Sequence, residues 1–160
     1  MEVVGELHAR TVTGQGVGCP AIFHLIVKRK ARQGFEQLSA GNFEAIVGLF
    51  DGSGVLRFSG DHPMGGEHRG PDEVRAWFER VHGYFPDLRF EPIEIVVDGW
   101  PWNTRVATRF RVTASLRDGR PYENEGMQFL RLRWGKAFED YLYEDTQKLA
   151  AELERMGATR

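Results

Sequence analysis

Between Asp98 and Asp145 the chain is cut by three short breaks, Asp98-Gly99, Asp118-Gly119 and Trp134-Gly135. They separate four β-rich runs, Leu88–Val97, Arg105–Leu116, Pro121–Arg133 and Lys136–Glu144. Short glycine-bearing breaks between such runs are the local signal for hairpins, so this stretch predicts a four-stranded meander. A sheet that long has one face to bury, and the remaining chain must supply helices to cover it. With 160 residues, a single domain with a substantial core is expected.

The flanking segments read accordingly. Residues 1–19 carry four glycines and weak periodicity, and are expected to be a flexible extension, with one domain over 20–160. Pro20 suits a first helical turn, and Ile22, Phe23, Ile26, Ala31, Phe35 and Leu38 recur at helical spacing up to Gly41. The basic run Lys28-Arg29-Lys30-Ala31-Arg32 on this helix reads as a solvated face. Asn42 is expected to cap a short second helix with Phe43, Ile46, Val47 and Phe50 on its apolar side. Gly54–Ser59 has strand character and leads into Gly60–Gly70, eleven residues with four glycines, which reads as a loop. Pro71, Asp72 and Glu73 open a third helix with a buried stripe of Val74, Trp77, Phe78, Val81 and Phe85. Asp145 caps a last helix over Thr146–Met156.

Strand register decides which side chains share a face. A two-residue type I′ turn at Trp134-Gly135 would force a bulky aromatic to positive φ, so a three-residue loop with only Gly135 left-handed is expected. That places Leu130 opposite Phe138, Gln128 opposite Asp140 and Gly126 opposite Leu142. The same loop type at Arg117-Asp118-Gly119 puts Val112 opposite Asn124, Phe110 opposite Gly126 and Thr108 opposite Gln128. One face then carries Val106, Phe110, Val112, Leu130, Leu132, Phe138 and Leu142, crossed by a polar row of Thr108, Gln128 and Asp140. The other carries Arg105, Arg109, Arg111, Arg131 and Arg133. Met127, Phe129, Tyr141 and Tyr143 also fall outside, which implies a homodimer covering part of the outer face.

An acid on an apolar, helix-covered face has its pKa raised by desolvation and can exchange protons near neutral pH. Asp140 is therefore the candidate catalytic residue, with Gln128 and Thr108 placed to orient a carbonyl or hydroxyl. The competing arrangement leaves Asp140 solvated at an open rim. His62, on the glycine-rich loop, is the second candidate acid or base, and Phe58, Trp77, Phe110 and Leu142 are the apolar contacts expected for a ligand. Asp61, His62, Glu67 and His68 are of metal-ligand type but lack helix or strand spacing, so no metal and no cofactor are expected. Trp100-Pro101-Trp102 reads as a stiff apolar knob that caps a cavity or meets another subunit. Glu125 and Glu144, near strand ends, read as solvated.

Net charge of −2 and the absence of an RNA-binding fingerprint argue against nucleic acid. No apolar run reaches membrane-spanning length. One cysteine, Cys19, fits a reducing compartment, and no signal-peptide pattern opens the chain, so the cytoplasm is the expected location.

In order, helix, helix, strand, loop, helix, four-stranded meander and terminal helix resemble the nuclear transport factor 2-like superfamily, in its SnoaL-like branch of polyketide cyclases and related ketosteroid isomerases. The residues carrying this resemblance are Gly41-Asn42-Phe43-Glu44-Ala45-Ile46-Val47, Arg69-Gly70-Pro71-Asp72-Glu73-Val74, Gly135-Lys136-Ala137 and Tyr143-Glu144-Asp145-Thr146. The resemblance implies an α+β cone, a curved antiparallel sheet packed by three to four helices around a pocket for a small hydrophobic ligand. The isomerases' aspartate base falls at Phe58, their first-helix tyrosine at Gly34 and their protonated aspartate at Gln128, which argues against a ketosteroid isomerase of the known type. The SnoaL-like cyclases carry an acid on the last strand, where Asp140 stands. Two functions remain open: cofactor-free isomerase-, cyclase- or hydrolase-type chemistry on a carbonyl compound, or a non-catalytic binding or assembly domain.

Overall fold

A computed structural model describes residues 20–116 and 118–158; the extension expected over 1–19 lies outside the described residues. The helical stripes and β-rich runs become, in chain order, α1 (Pro20–Ser39), α2 (Glu44–Val47), β1 (Phe50–Phe58), β2 (Gly66–Arg69), α3 (Gly70–Tyr84), β3 (Arg89–Trp100), β4 (Asn103–Ser115), β5 (Pro121–Arg133), β6 (Lys136–Glu144) and α4 (Thr146–Arg155). The strands form one open, curved sheet in the order β2-β1-β6-β5-β4-β3, an α+β architecture with four helices. The meander β3–β6 is antiparallel throughout, as its turn spacing requires. The sheet as a whole is mixed, because β1 joins the meander parallel to β6.

Two segments differ from the sequence reading. Gly60–Gly70 is loop only in its first part: residues 66–69 form β2 and pair antiparallel with β1, from Val55 opposite Arg69 to Phe58 opposite Gly66. Four residues are too few to show period-two patterning, so the strand is invisible in the sequence. Asn42 does not cap α2. Its side-chain amide donates to Gln37 Oε1 at 2.7 Å, and Phe43 takes the cap position without a side-chain bond. Asp145 does cap α4, accepting from the Lys148 N–H at 3.1 Å.

The hairpins fix the faces. The β4–β5 register is the expected one, with Thr108 opposite Gln128, Phe110 opposite Gly126 and Val112 opposite Asn124. The β3–β4 reversal is not at Asp98-Gly99; both residues stay paired, and the turn falls two residues later at Pro101-Trp102, where proline pre-sets φ. At β5–β6 Trp134 does take positive φ (52°) beside Gly135 (80°), the two-residue turn that its bulk argued against. The Trp134 N–H donates to Pro101 O at 2.6 Å, so the neighbouring hairpin helps to hold the strained residue.

That turn alone would send Asp140 to the outer face. A bulge reverses the effect: Leu132 pairs with Ala137 but Arg131 pairs with Glu139, leaving Phe138 as the extra residue. Phe138 therefore leaves the inner face predicted for it and packs under Arg131 and Arg133, whose guanidinium carbons lie 4.8 and 4.9 Å from its ring centre. Beyond the bulge, Leu130 faces Asp140, Gln128 faces Leu142 and Gly126 faces Glu144. Gln128 and Asp140 share the inner face as diagonal neighbours rather than direct partners.

The inner face meets α1, α3 and α4 in a core that includes Phe35, Leu56, Val74, Trp77, Phe110, Leu149 and Leu153. A smaller cluster joins Val27 of α1 to Ile95, Val97 and Val106. Together they would represent tens of kcal/mol of apolar burial at roughly 25 cal/mol per Å², largely offset by chain entropy.

Candidate functional site

The helices do not fill the concave side of the sheet completely. They leave a cavity of about 60 Å³. Eight of its nineteen lining residues are aromatic, and the polar wall comes from β5 and β6: Tyr122, Gln128, Asp140 and Glu144. Among the described residues no lysine, arginine or histidine lines it.

Asp140 is 3 % exposed and sits between Leu56 of β1 and Leu130 of β5. Gln128 Nε2 donates to its Oδ2 at 2.9 Å, while Oδ1 is buried without a partner among the described residues. Burial pushes this carboxyl up to about 7, and the Gln128 bond, which favours the charged form, pulls only weakly the other way. A carboxyl in that range takes or gives a proton at neutral pH without large cost in either direction.

Two residues further along the same face is Leu142, and two beyond that Glu144, which the sequence reading assigned to solvent. Glu144 Oε2 accepts from Asn124 Nδ2 at 3.3 Å and from the Tyr122 hydroxyl at 3.5 Å, and Asn124 Nδ2 also donates to Tyr122 Oη at 2.9 Å. Burial raises Glu144 to about 7 against the pull of both donors. Tyr122 is held in its protonated form, first by burial and then by the neighbouring Glu144 charge. The signal for Glu144 was present in the sequence. A period of two counted on from Asp140 reaches it, and only its place near a strand end argued otherwise.

Gly126 makes room for this group. It stands between Phe110 and Glu144, and a Cβ there would lie 2.6 Å from the Phe110 ring, 2.6 Å from the Tyr143 carbonyl oxygen and 2.9 Å from Glu144 Cγ. A side chain at this position would meet backbone that cannot swing aside.

The other candidate residues divide into two groups. Phe58, Trp77, Phe110 and Leu142 line the cavity with Gln128 and Asp140. Phe58 and Trp77 meet edge to face at 5.6 Å, and Trp77 Nε1 donates to Met64 O at 2.9 Å, pinning the loop against α3. Thr108, fully buried opposite Gln128, is not part of the wall, and its Oγ1 has no partner among the described residues. His62 is also outside the lining. Its ring packs edge-on to Phe58 at 5.3 Å, with Nε2 at 3.1 Å from Ser59 O. Burial lowers its pKa, which favours the neutral ring. Trp100 and Trp102 stack at 5.6 Å, exposed at the hairpin turn and away from the cavity. Among the described residues no three His, Cys, Asp or Glu side chains converge as metal ligands, and Glu67 is engaged by Arg57 and Arg69. No helix among the described residues is long and apolar enough to cross a membrane.

Residues 31–139 match the family model described as the SnoaL-like domain. Among solved structures, an NTF2-like protein of unknown function from Burkholderia pseudomallei K96243 is 17% identical with a TM-score of 0.67, over 76% of this chain and 92% of that one. PrhC from Penicillium brasilianum is 22% identical with a TM-score of 0.67, over 80% and 85%. IdmH from Streptomyces antibioticus, a candidate polyketide cyclase, is 23% identical with a TM-score of 0.61, over 79% and 97%. At such identities the likeness is one of fold. No curated protein matches the chain significantly.

Proposed function

The chain belongs to the SnoaL-like domain family, with its nuclear transport factor 2-like fold, and from that premise we propose that it is a cofactor-free enzyme moving a proton on a small apolar carbonyl compound. One observation carries this reading: Asp140, buried and raised to about 7, presents an unpartnered Oδ1 while Gln128 holds Oδ2. In its ionised form Asp140 takes a proton from the carbon beside the carbonyl. In its protonated form it returns the proton to the same carbon or to a neighbouring one. Gln128 keeps the carboxyl in place for both steps. Phe58, Trp77, Phe110 and Leu142 exclude water around it. His62 is set behind Phe58, an arrangement that supports packing over proton transfer. Thr108 is buried opposite Gln128 and outside the cavity lining, which supports packing over contact with a ligand. The size of the cavity favours a compound, or a reacting portion of one, of only a few heavy atoms.

A reaction of this kind is detectable before the product is known. In deuterated buffer the protein is expected to exchange the α-protons of at least one member of a panel of small ketones, followed by NMR. Asp140→Asn should slow that exchange at least about 100-fold while leaving the circular dichroism unchanged. Equal rates for the two proteins would remove Asp140 from the chemistry.

The assembly reading has its own support, on the other side of the sheet. Val96, Ala107, Phe129 and Tyr141 form one cross-strand row on the outer face, with Met127 opposite Tyr143 beside it. Val96, Met127, Phe129 and Tyr143 are between 39 and 54 % exposed. Ion pairs flank the row, Arg105 with Asp98 on one side and Arg109 with Glu125 on the other. Such a strip, carrying both signs of charge at its edges, suits a second copy of itself about a two-fold axis. A dimer mass by light scattering, reduced to a monomer by Phe129→Glu, is the expected result; a monomeric unaltered chain overturns it.

A further inference from the structure

The cavity holds an imbalance that proton transfer by Asp140 does not account for. Among the described residues two carboxyls line it, and no cationic side chain does. No charged group among the described residues pairs with either acid: Asp140 is flanked by Leu56, Leu130 and Gln128, and Glu144 by Gly126, Tyr122 and Asn124. The titratable groups beside Glu144 in the cavity are Tyr122 on β5 and Asp145 at the cap of α4; Arg109 and Glu125 line the outer groove that Glu144 also borders, and there they pair with each other. Proton transfer at Asp140 needs one such acid. A second, with two donors already arranged on Oε2, is costly to keep unless something compensates it.

The remaining wall is chemically suited to that compensation. Eight aromatic rings line the cavity; aromatic rings attract cations through their π systems, and weakly hydrated alkylammonium ions lose least on entering such surroundings. We propose that the compound bound in this cavity carries a small organic cation, an alkylammonium group of a few heavy atoms, held by the Glu144 carboxylate and the aromatic walls. Asp140 is thereby left free for the proton. The Tyr122 and Asn124 donors hold Glu144 Oε2, so the cation meets a carboxylate whose orientation is already fixed. This inference rests on the cavity being the ligand site proposed above, but not on turnover.

Tetramethylammonium and tert-butanol, a charged and an uncharged probe of similar shape, test it by NMR and calorimetric titration of the intact chain. The charged probe is expected to bind at least tenfold more tightly than the neutral one at pH 8. Its affinity should fall at least tenfold by pH 5.5, as Glu144 takes up a proton, whereas that of tert-butanol should stay level. Glu144→Gln, which preserves shape and hydrogen bonding to Tyr122 and Asn124, should remove the charged probe's advantage while the melting profile keeps its cooperativity. Equal binding of both probes, with shifts at Asp140 and Trp77, would overturn the cation and leave the cavity as the ligand site. An unchanged affinity in Glu144→Gln would overturn it as well. Failure of both probes to bind, together with absent ketone exchange, would overturn this inference and the proposed function together.

Discussion

Glu139 and Asp140 are neighbours in sequence and opposites in circumstance. Glu139 points to the outer face, bridged by Arg57 at 2.9 Å and Arg131 at 3.1 Å. Asp140 points inward to leucines and one amide. The contrast extends along the strands. Outside, Glu125 has Arg109, Asp98 has Arg105 and Glu67 has Arg57, so nearly every carboxylate there is answered by a guanidinium. Inside, the two acids have only neutral hydrogen-bond donors. A sheet assembled for stability alone would use the outer arrangement on both faces or place apolar residues within. Keeping such acids without a cationic partner costs folding free energy, a cost met more often at functional sites than elsewhere.

The sharpest way to break the comparison is to neutralise each acid in turn. Asp140 has a folded pKa of about 7, above its unfolded value, so the folded state holds a proton that the unfolded chain has already lost between about pH 4 and 7. Stability contributed by this group is therefore present in acid, declines as pH rises through that window and is fully lost above it. Asp140→Asn removes the dependence. Chemical denaturation should find the variant more stable than the parent by up to about 4 kcal/mol at pH 8, and nearly equal to it at pH 4. A variant less stable at pH 8 would mean that Asp140 is compensated after all. A smaller effect is expected where the inner face is tightest. Gly126→Ala, forced against the Phe110 ring and the Tyr143 carbonyl, should destabilise the fold by about 1–3 kcal/mol in the same assay. Smallest of all is the outer counterpart. Glu139→Gln should cost under about 1 kcal/mol, a loss that shrinks further in high salt, since both partners are partly solvated.

The same two regions show how far the sequence can be read. The β4–β5 register follows from its turn, where Gly119 takes positive φ and Leu116 bonds back to Arg120. The β5–β6 turn was not legible, because what stabilises Trp134 in a left-handed conformation is the bond its N–H donates to the carbonyl of Pro101, a residue of another hairpin. Local propensity cannot register a partner that only the assembled sheet supplies. The bulge at Phe138 was likewise hidden, since its compensation comes from Arg131 and Arg133 stacking on the displaced ring. Asp140 still faces inward because turn and bulge cancel in parity. Helices α3 and α4 were legible for a simpler reason: Val74, Trp77, Phe78 and Val81 on α3 and Leu149 and Leu153 on α4 are buried on the faces that their spacing marks, whereas on α1 Ile22 and Ile26 of the expected stripe are exposed and Val27 is buried. In loop Gly60–Gly70, His62 was singled out for its chemistry; its ring packs against Phe58 and lies outside the cavity lining.

The cancellation between the tight turn at Trp134-Gly135 and the extra residue at Phe138 limits how this hairpin can change. Losing either feature alone would rotate the strand by half a repeat, presenting Glu139 to the interior and Asp140 to water. Length changes in this hairpin are therefore survivable only in even steps. A lineage that gains or drops one residue here must repair the count within the same few positions, or exchange its chemistry for whatever the neighbouring side chain can do.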